Sequence, residues 1–404
     1  MRGATVQTRF LLLAALRWLP TGLIVPVVAL LPLDRGLSVA ELGVAFAVQG
    51  VVVLFLELPT GGLSDALGRK PVVIAAGLAA AASYVAFALA QTLTAFIVAT
   101  ALSGVFRALD SGPLNAWFVD SVHDDRTVVD RSGTVARGLS RYASTVGVSI
   151  ALGAVLSGVL ISVSPFGRSE SLAVPYWIAA AIALLQVIAV AVLMDEDRSG
   201  RTAGLIASVV GTPGVILAGA RLLTRSRVLL ALVMVELFWG FGMIAFETLM
   251  PIRLAELLGD RDHAAAVMGP VTAAAWGMSA VGAAAVPLLL RRWSLVQVSV
   301  ALRILQGGTV VAMGLALGPI GLVAGLLATY ALHSASGAIC DIAARAGRQR
   351  APRHCALVGV DADAAGRIHR RHRAGRDRDG CLDRYGDHRG RSGPGLGGTV
   401  VPGA

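Results

Sequence analysis

Charged residues are scarce in this chain of 404 residues. Asp, Glu, Lys and Arg together make up 15% of it, whereas a soluble domain usually carries about 25%. Hydrophobic residues make up 55%, and the mean hydropathy is +0.72. One globular core cannot absorb so much apolar surface, because such cores stop growing at roughly 250–300 residues. The composition excludes an ordinary soluble domain and indicates that lipid surrounds most of the chain.

Cysteine and lysine are also rare. The three cysteines, Cys340, Cys355 and Cys381, are odd in number and match no metal-binding spacing, so we infer neither a disulfide framework nor a metal site. Lys70 is the only lysine beside 34 arginines, which indicates a GC-rich, bacterial genome. The sequence contains no nucleophile triad or phosphate loop, and we expect neither an enzyme nor a cofactor.

The net charge of +10 is concentrated towards the end of the sequence. From Arg345 onward there are 13 arginines and six aspartates, which supply +7 of that charge. The 344 residues before Arg345 supply only the remaining +3. The charge therefore does not indicate a nucleic-acid partner.

Long apolar runs form ten candidate spanning helices, since a span needs about 20 mostly apolar residues. Six precede a polar and basic stretch at 195–227, and four follow it. Most loop arginines fall on one side of the membrane, and the positive-inside rule then predicts a cytoplasmic N-terminus. The ten runs are 10–33, 39–63, 71–90, 93–114, 138–163, 172–194, 228–252, 264–290, 294–316 and 318–340.

The segment GGLSDALGRK, residues 61–70, stands between the second and third runs. Its glycines allow helices to approach closely, and its acid can stabilise a neighbouring helix N-terminus. It resembles the loop signature of the major facilitator superfamily of secondary transporters, in which this loop acts as a conformational latch. The resemblance implies that role for Gly61, Asp65, Gly68, Arg69 and Lys70. An ordinary basic turn is the alternative.

The fourth run adds to this resemblance, and the fifth run departs from it. In LSGVFRALDSGPLNAWFVD, Arg107, Gly112 and Asp120 stand where the family often has an arginine, a glycine and an inner-face acid. Asp120 is the partner we expect for Arg69. The Gly-Pro step that proton-linked exporters of the family often carry is absent from the fifth run, VGVSIALGAVLSGVL.

The resemblance implies an all-α membrane protein, a bundle of two six-helix halves with about ten spans present and the last two replaced by a polar, basic tail. Residues 1–194 then form the N-terminal half, 195–227 a cytoplasmic linker, 228–340 the C-terminal half and 341–404 the tail. We expect a monomer in the bacterial inner membrane that exports small amphipathic molecules in exchange for protons by alternating access. Uptake of a small solute and a non-transporting truncated product are the alternatives.

Ionisable residues inside spans are costly and usually face a cavity or one another. Arg107 and Asp110 are three residues apart on one helix face and could pair locally. Asp110 and Glu236 are the best candidates for a carboxylate that exchanges protons. The alternative is that such charges lie at helix ends and neutralise one another, which suits Glu247 and Arg303 better.

The tail after Cys340 changes abruptly in composition and becomes rich in Arg, Ala, Gly, Pro and His. GC-rich coding DNA that is read out of frame gives this composition, and a one-base shift near Ala346 can give two apolar spans. In the family the loop-signature acid lies against the eleventh span, so Asp65 would lack its expected partner in this chain.

We predict that a single-base correction between codons 340 and 404 restores two apolar spans. The nucleotide sequence of the locus checks this directly. If no single insertion or deletion gives two such spans, the frameshift hypothesis is rejected.

Overall fold

The computed structural model describes residues 2–163, 170–196 and 227–350. The chain divides into two compact units at Gly347, and every contact discussed below lies within the first unit. The described part of the first half is helical apart from short connections. Its helices are α1 (Arg2–Ile24), α2 (Leu30–Asp34), α3 (Val39–Leu67), α4 (Arg69–Leu89), α5 (Leu93–Asp110), α6 (Pro113–Asp124), α7 (Arg131–Val163) and α8 (Val174–Leu193).

The second half is also helical in its described part. A π-helical turn, Ala245–Leu249, joins the first two of its helices. The helices are α9 (Arg227–Ile244), α10 (Met250–Leu258), α11 (Arg261–Leu289), α12 (Leu295–Gly314) and α13 (Pro319–Arg350). The tail was expected to begin at residue 341, but α13 continues through 341–350, and the rest of the predicted tail lies outside the described residues.

Nine helical segments of the described residues are long and apolar enough to cross a membrane. They correspond to the second to tenth runs, and the expected all-α membrane fold is confirmed. The first run, 10–33, is not one continuous helix. α1 ends at Ile24 and α2 begins at Leu30, because Pro26 has no N–H for the carbonyl of Gly22.

Local sequence determines where several helices begin. Ser38 and Glu41 form a capping box at the start of α3, in which the Ser38 hydroxyl accepts from the Glu41 N–H at 3.3 Å. Ser294 and Gln297 form the same motif at α12. Between α5 and α6 the chain turns at Gly112, whose φ of 98° suits glycine, before Pro113 begins α6. The fourth span therefore bends at this glycine.

Glycines let α7 pack closely against helices of both halves. A Cβ atom at Gly153 would collide with the backbone of α1, at the Leu19 carbonyl. Five residues further on, a Cβ at Gly158 would lie 2.6 Å from the Ala266 carbonyl oxygen of α11. From the other side, a Cβ at Gly269 would lie 2.5 Å from the Ala154 carbonyl oxygen. At the contact of α7 with α11, the two halves therefore touch through backbone atoms with almost no side chain between them.

The halves meet differently at the two ends of the bundle. We call the end at Gly68, between α3 and α4, the motif end, and the end at α2 the far end. The largest buried cluster combines Tyr176 of the first half with Met250 and Leu254 of the second, near the far end. At the motif end, the cluster around Phe118 lies wholly in the first half and the cluster around Leu302 wholly in the second. Within the described residues, the far end is closed and the motif-end clusters are separate.

We predict that Gly269→Ala destabilises the protein in detergent, because the added methyl group meets the backbone of α7. Overpacking of this kind costs roughly 1–3 kcal/mol. Thermal unfolding of the purified protein measures the effect. Gly277→Ala on the same helix is the matched control, because a Cβ there meets nothing within 4 Å. Equal melting temperatures for the two variants would contradict the close contact.

Candidate functional site

The signature loop makes a sharp turn at the motif end. Gly68 ends α3 and precedes α4 with a φ of 103°, a conformation that favours glycine. Arg69 and Lys70 follow as the first residues of α4. Their backbone N–H groups have no partner within the helix, since the first turn of any helix leaves its donors free.

Glu196 supplies the anion at this helix start. Its Oε1 accepts from the Arg69 N–H at 2.6 Å, and its Oε2 accepts from the Lys70 N–H at 3.0 Å. A carboxylate at a helix N-terminus is favoured by the helix dipole. The sequence predicted an acid in such a place and named Asp65, whose side chain lies outside the described residues. Glu196, which lies beyond the end of α8, was not predicted.

The side chains of the loop bind the first half as well. Lys70 Nζ donates to the Ala191 carbonyl of α8 at 2.7 Å. Arg69 donates to the Ser64 hydroxyl at 3.2 Å, and its Nε lies 3.5 Å from Asp120 Oδ2, the acid that the sequence named as its partner. The loop, α6 and the end of α8 are thus held together.

Asp195 extends this group of contacts. Its carboxylate accepts from Arg9 of α1 at 2.7 Å, and its carbonyl accepts from the indole N–H of Trp117 at 2.8 Å. The first residues of the expected linker are therefore bound to the first half at the motif end. All of these contacts lie within one half.

A buried ion pair connects α1 and α5. Arg17 Nε donates to Asp110 Oδ2 at 2.6 Å, and the two side chains are 8% and 16% exposed. The Arg17 guanidinium also lies 4.7 Å from the ring centre of Trp18 and 4.3 Å from that of Phe106. The sequence suggested Arg107 as the local partner of Asp110. The structure instead gives Asp110 a partner from another helix, and Arg107 acts on it only through its charge.

Arg107 faces the second half. Its side chain is exposed, and its charge acts on Glu247 in the π-helical turn. Glu247 is exposed too and lies near enough to Tyr330 of α13 for their charges to interact. The two residues belong to different halves, and the charge of one acts on the other.

The π-helical turn has a simple origin in the sequence. Pro251 lacks the N–H that would bond to the carbonyl of Glu247, four residues earlier, so the regular helical ladder cannot continue there. An acid four residues before a proline, inside an apolar run, was the available signal. Sequence reasoning treated Glu247 as a helix-end charge and missed it. Glu236 was preferred, and its side chain lies outside the described residues.

Aromatic side chains cluster around Phe246, the neighbour of Glu247 in the chain. Phe246 lies 5.5 Å from Trp239 and 5.7 Å from Tyr330 between ring centres, and Tyr330 lies 6.4 Å from Trp276. His333 stacks on Trp239 at 4.7 Å. We call these five residues the aromatic cluster. Trp276 lies 3.7 Å from the position that a Cβ at Gly147 of α7 would occupy, so the cluster faces the first half.

The described residues thus form a helical bundle with nine candidate membrane spans and a buried ion pair inside it, which is the architecture of a polytopic membrane protein. The chain belongs to the Major Facilitator Superfamily, whose family model matches residues 10–351. The resemblance that residues 61–70 indicated is thereby confirmed.

Two kinds of relatives agree with this assignment. The quinolone resistance protein NorA of Staphylococcus aureus is 22% identical over 256 residues, which cover 62% of this chain and 60% of NorA. The alignment thus spans less than two thirds of that relative. The nucleoside transporter NupG has a TM-score of 0.66 at 11% identity, over 87% of this chain and 84% of its own. A D-xylose–proton symporter has a TM-score of 0.51 at 15% identity, over 83% and 80%.

We predict that Arg17→Leu strongly destabilises the protein, because it leaves the Asp110 carboxylate buried without its cation. Removing one partner of a buried ion pair costs roughly 3–5 kcal/mol. The double variant Arg17→Leu/Asp110→Leu should recover much of this loss. Thermal unfolding and the amount of protein in membranes measure both effects.

Arg137→Leu is the control for this comparison. It breaks an ion pair with Asp130 in which both side chains are 62% exposed, and such surface pairs contribute about 0–1 kcal/mol. A double variant as unstable as Arg17→Leu would contradict the assignment of the pair as the cause.

Proposed function

We propose that this chain is a monomeric, proton-coupled exporter of small amphipathic compounds in the bacterial inner membrane. It works by alternating access, with the motif end facing the cytoplasm and the two halves rocking about a site between them. The observation that carries the proposal is the position of Glu247 in the π-helical turn of the second half, next to Phe246 of the aromatic cluster and within the electrostatic influence of Arg107 of the first half. An acid in this place can bind a proton where it changes the contact between the halves.

The coupling follows from electrostatics. An ionised Glu247 attracts Arg107 of the opposite half, because opposite charges attract one another. A proton on Glu247 removes the attraction. The free-energy difference between two conformations that separate these residues differently then depends on protonation, which is what coupling requires.

Asp110 and Glu236 are further candidates in the proposal. Asp110 is held by Arg17 of another helix, so we propose that it keeps α1 and α5 of the first half together. Glu236 remains a candidate for a second proton site on α9. The contacts of Arg69 and Lys70 with Asp120 and Glu196 keep the motif end of the first half rigid while it moves.

The aromatic cluster supports the substrate class. Ring faces bind flat apolar groups and attract cations, and Glu247 lies next to Phe246 of this cluster. Compounds with an aromatic body and a basic group fit this combination. The likeness to NorA, a quinolone resistance protein, points towards export of such compounds.

Transport by everted membrane vesicles tests the proposal. With an acidic lumen, vesicles that contain the protein should accumulate a fluorescent aromatic amine, and collapse of the gradient should release it. We predict that Glu247→Gln lowers this accumulation by at least about tenfold, since allosteric couplings of 1–3 kcal/mol correspond to roughly 5–150-fold. Exchange of labelled for unlabelled amine without a gradient should persist in Glu247→Gln.

Several variants make the test specific. Glu256→Gln removes an acid that pairs with Arg253 at the protein surface and should accumulate the amine normally. Asp110→Asn and Glu236→Gln show whether either acid shares the coupling. Normal gradient-driven accumulation in Glu247→Gln would reject its role, and gradient-driven entry into right-side-out vesicles would favour uptake over export.

A further inference from the structure

Three pairs of adjacent residues meet at the far end of the bundle. Asp34 ends the short helix α2 and Arg35 follows it, Glu170 and Ser171 precede α8, and Arg261 and Asp262 begin α11. The first two pairs belong to the first half and the third to the second half. Their contacts form a closed ring in which each pair touches the other two.

One side of the ring lies within the first half. The Arg35 guanidinium donates to the carbonyls of Phe87 and Ala90, at 3.2 and 2.6 Å, where α4 ends. A cation is favoured at this end of a helix dipole. Arg35 also lies 3.8 Å from Glu170, and its side chain is only 8% exposed. Arg35 therefore holds α2 and the segment before α8 in fixed positions.

The other two sides of the ring cross between the halves. Arg261 donates to the Leu33 carbonyl at 2.7 Å and lies 3.8 Å from the Asp34 carboxylate. Ser171 donates to the Asp262 carboxylate at 2.9 Å. Asp260 caps the same helix by accepting from the N–H groups of Asp262 and His263. The cap fixes the two contacting residues at the start of α11.

The two crossing contacts differ in their exposure to water. Ser171 is 1% exposed, so its hydrogen bond to Asp262 is shielded. Arg261 and Asp34 are 47% and 43% exposed, so water can replace their contact when the halves move apart. Breaking a contact that water can replace costs little free energy. A gate that opens in every transport cycle requires such contacts.

We propose that Arg261 and Asp262 form the latch that holds the far end closed. Each binds a different segment of the first half, and Arg35 keeps those two segments in place. Loss of either contact shifts the protein towards a conformation in which the far end is open. The latch requires the alternating access in the proposed function, but neither its substrate nor its coupling ion.

Distances between spin labels test the latch without any substrate or gradient. Labels are attached at Ala40→Cys and Glu256→Cys, which lie at the far end on opposite halves and are exposed. Cys340, Cys355 and Cys381 are replaced by Ser in this protein. Pulsed electron–electron double resonance in detergent and in nanodiscs then gives the populations with short and long distances between the labels.

We predict that Arg261→Ala and Asp262→Ala each raise the ratio of long to short distances by at least about fivefold, the lower range of such couplings. Arg261→Lys can still donate to the Leu33 carbonyl and should restore most of the short-distance population. Arg292→Ala removes an exposed arginine of the same half at the motif end and should leave the ratio unchanged.

Two results would overturn the latch. The distances could stay the same in both alanine variants, or Arg292→Ala could shift them equally. Ser171→Ala serves as a second variant if Asp262→Ala does not accumulate, because it removes the hydroxyl that donates to Asp262 and should shift the distances in the same direction. The distance measurement and the vesicle experiment can fail separately. If the alanine variants shift the distances as expected but the vesicles do not transport the amine, the latch stands and the coupling at Glu247 does not.

Discussion

The contact of α7 with α11 is the constraint on which the rest of the structure depends. In a membrane, helices gain little from hiding apolar side chains from water, so their association relies on close packing. Gly158 and Gly269 allow the two backbones to approach to a distance that any side chain would prevent. This approach places the aromatic cluster opposite α7 and brings Glu247 within reach of the charge of Arg107.

Two kinds of charge pair then lie inside the bundle. Arg17 and Asp110 form a short, buried pair within the first half, and such a pair is costly to separate. It therefore suits a part of the structure that moves as one body. Glu247 and Arg107 belong to different halves, and the charge of Arg107 acts on Glu247. Of these two pairs the second is the one whose separation changes when the halves rock, which is why the proposed coupling uses it.

Sequence patterns predicted the spans and the signature loop because both depend on neighbours in the chain. Apolar runs reveal helices, and a glycine followed by Arg69 and Lys70 reveals a turn at the membrane surface. Glu196 was missed because its partners lie 126 and 127 positions away. Asp110 was paired with a neighbour on its own helix, whereas its partner Arg17 is 93 positions away. The spacing of residues along the chain cannot show which of the helices that meet only after folding supplies the partner of a charged side chain.

The two ends of the bundle are built on different principles. At the motif end, Glu196 and Asp195 bind α4, α1 and α6 of their own half, so the described contacts there survive any rotation of that half. At the far end, Arg261 and Asp262 bind across the halves, and rotation must break them. In the proposed cycle, a change in the charge of Glu247 acts on the same rotation that the far-end contacts resist. A proton there need not act on the far end directly: it is enough that it alters the free energy of a rotation that the far-end contacts already oppose.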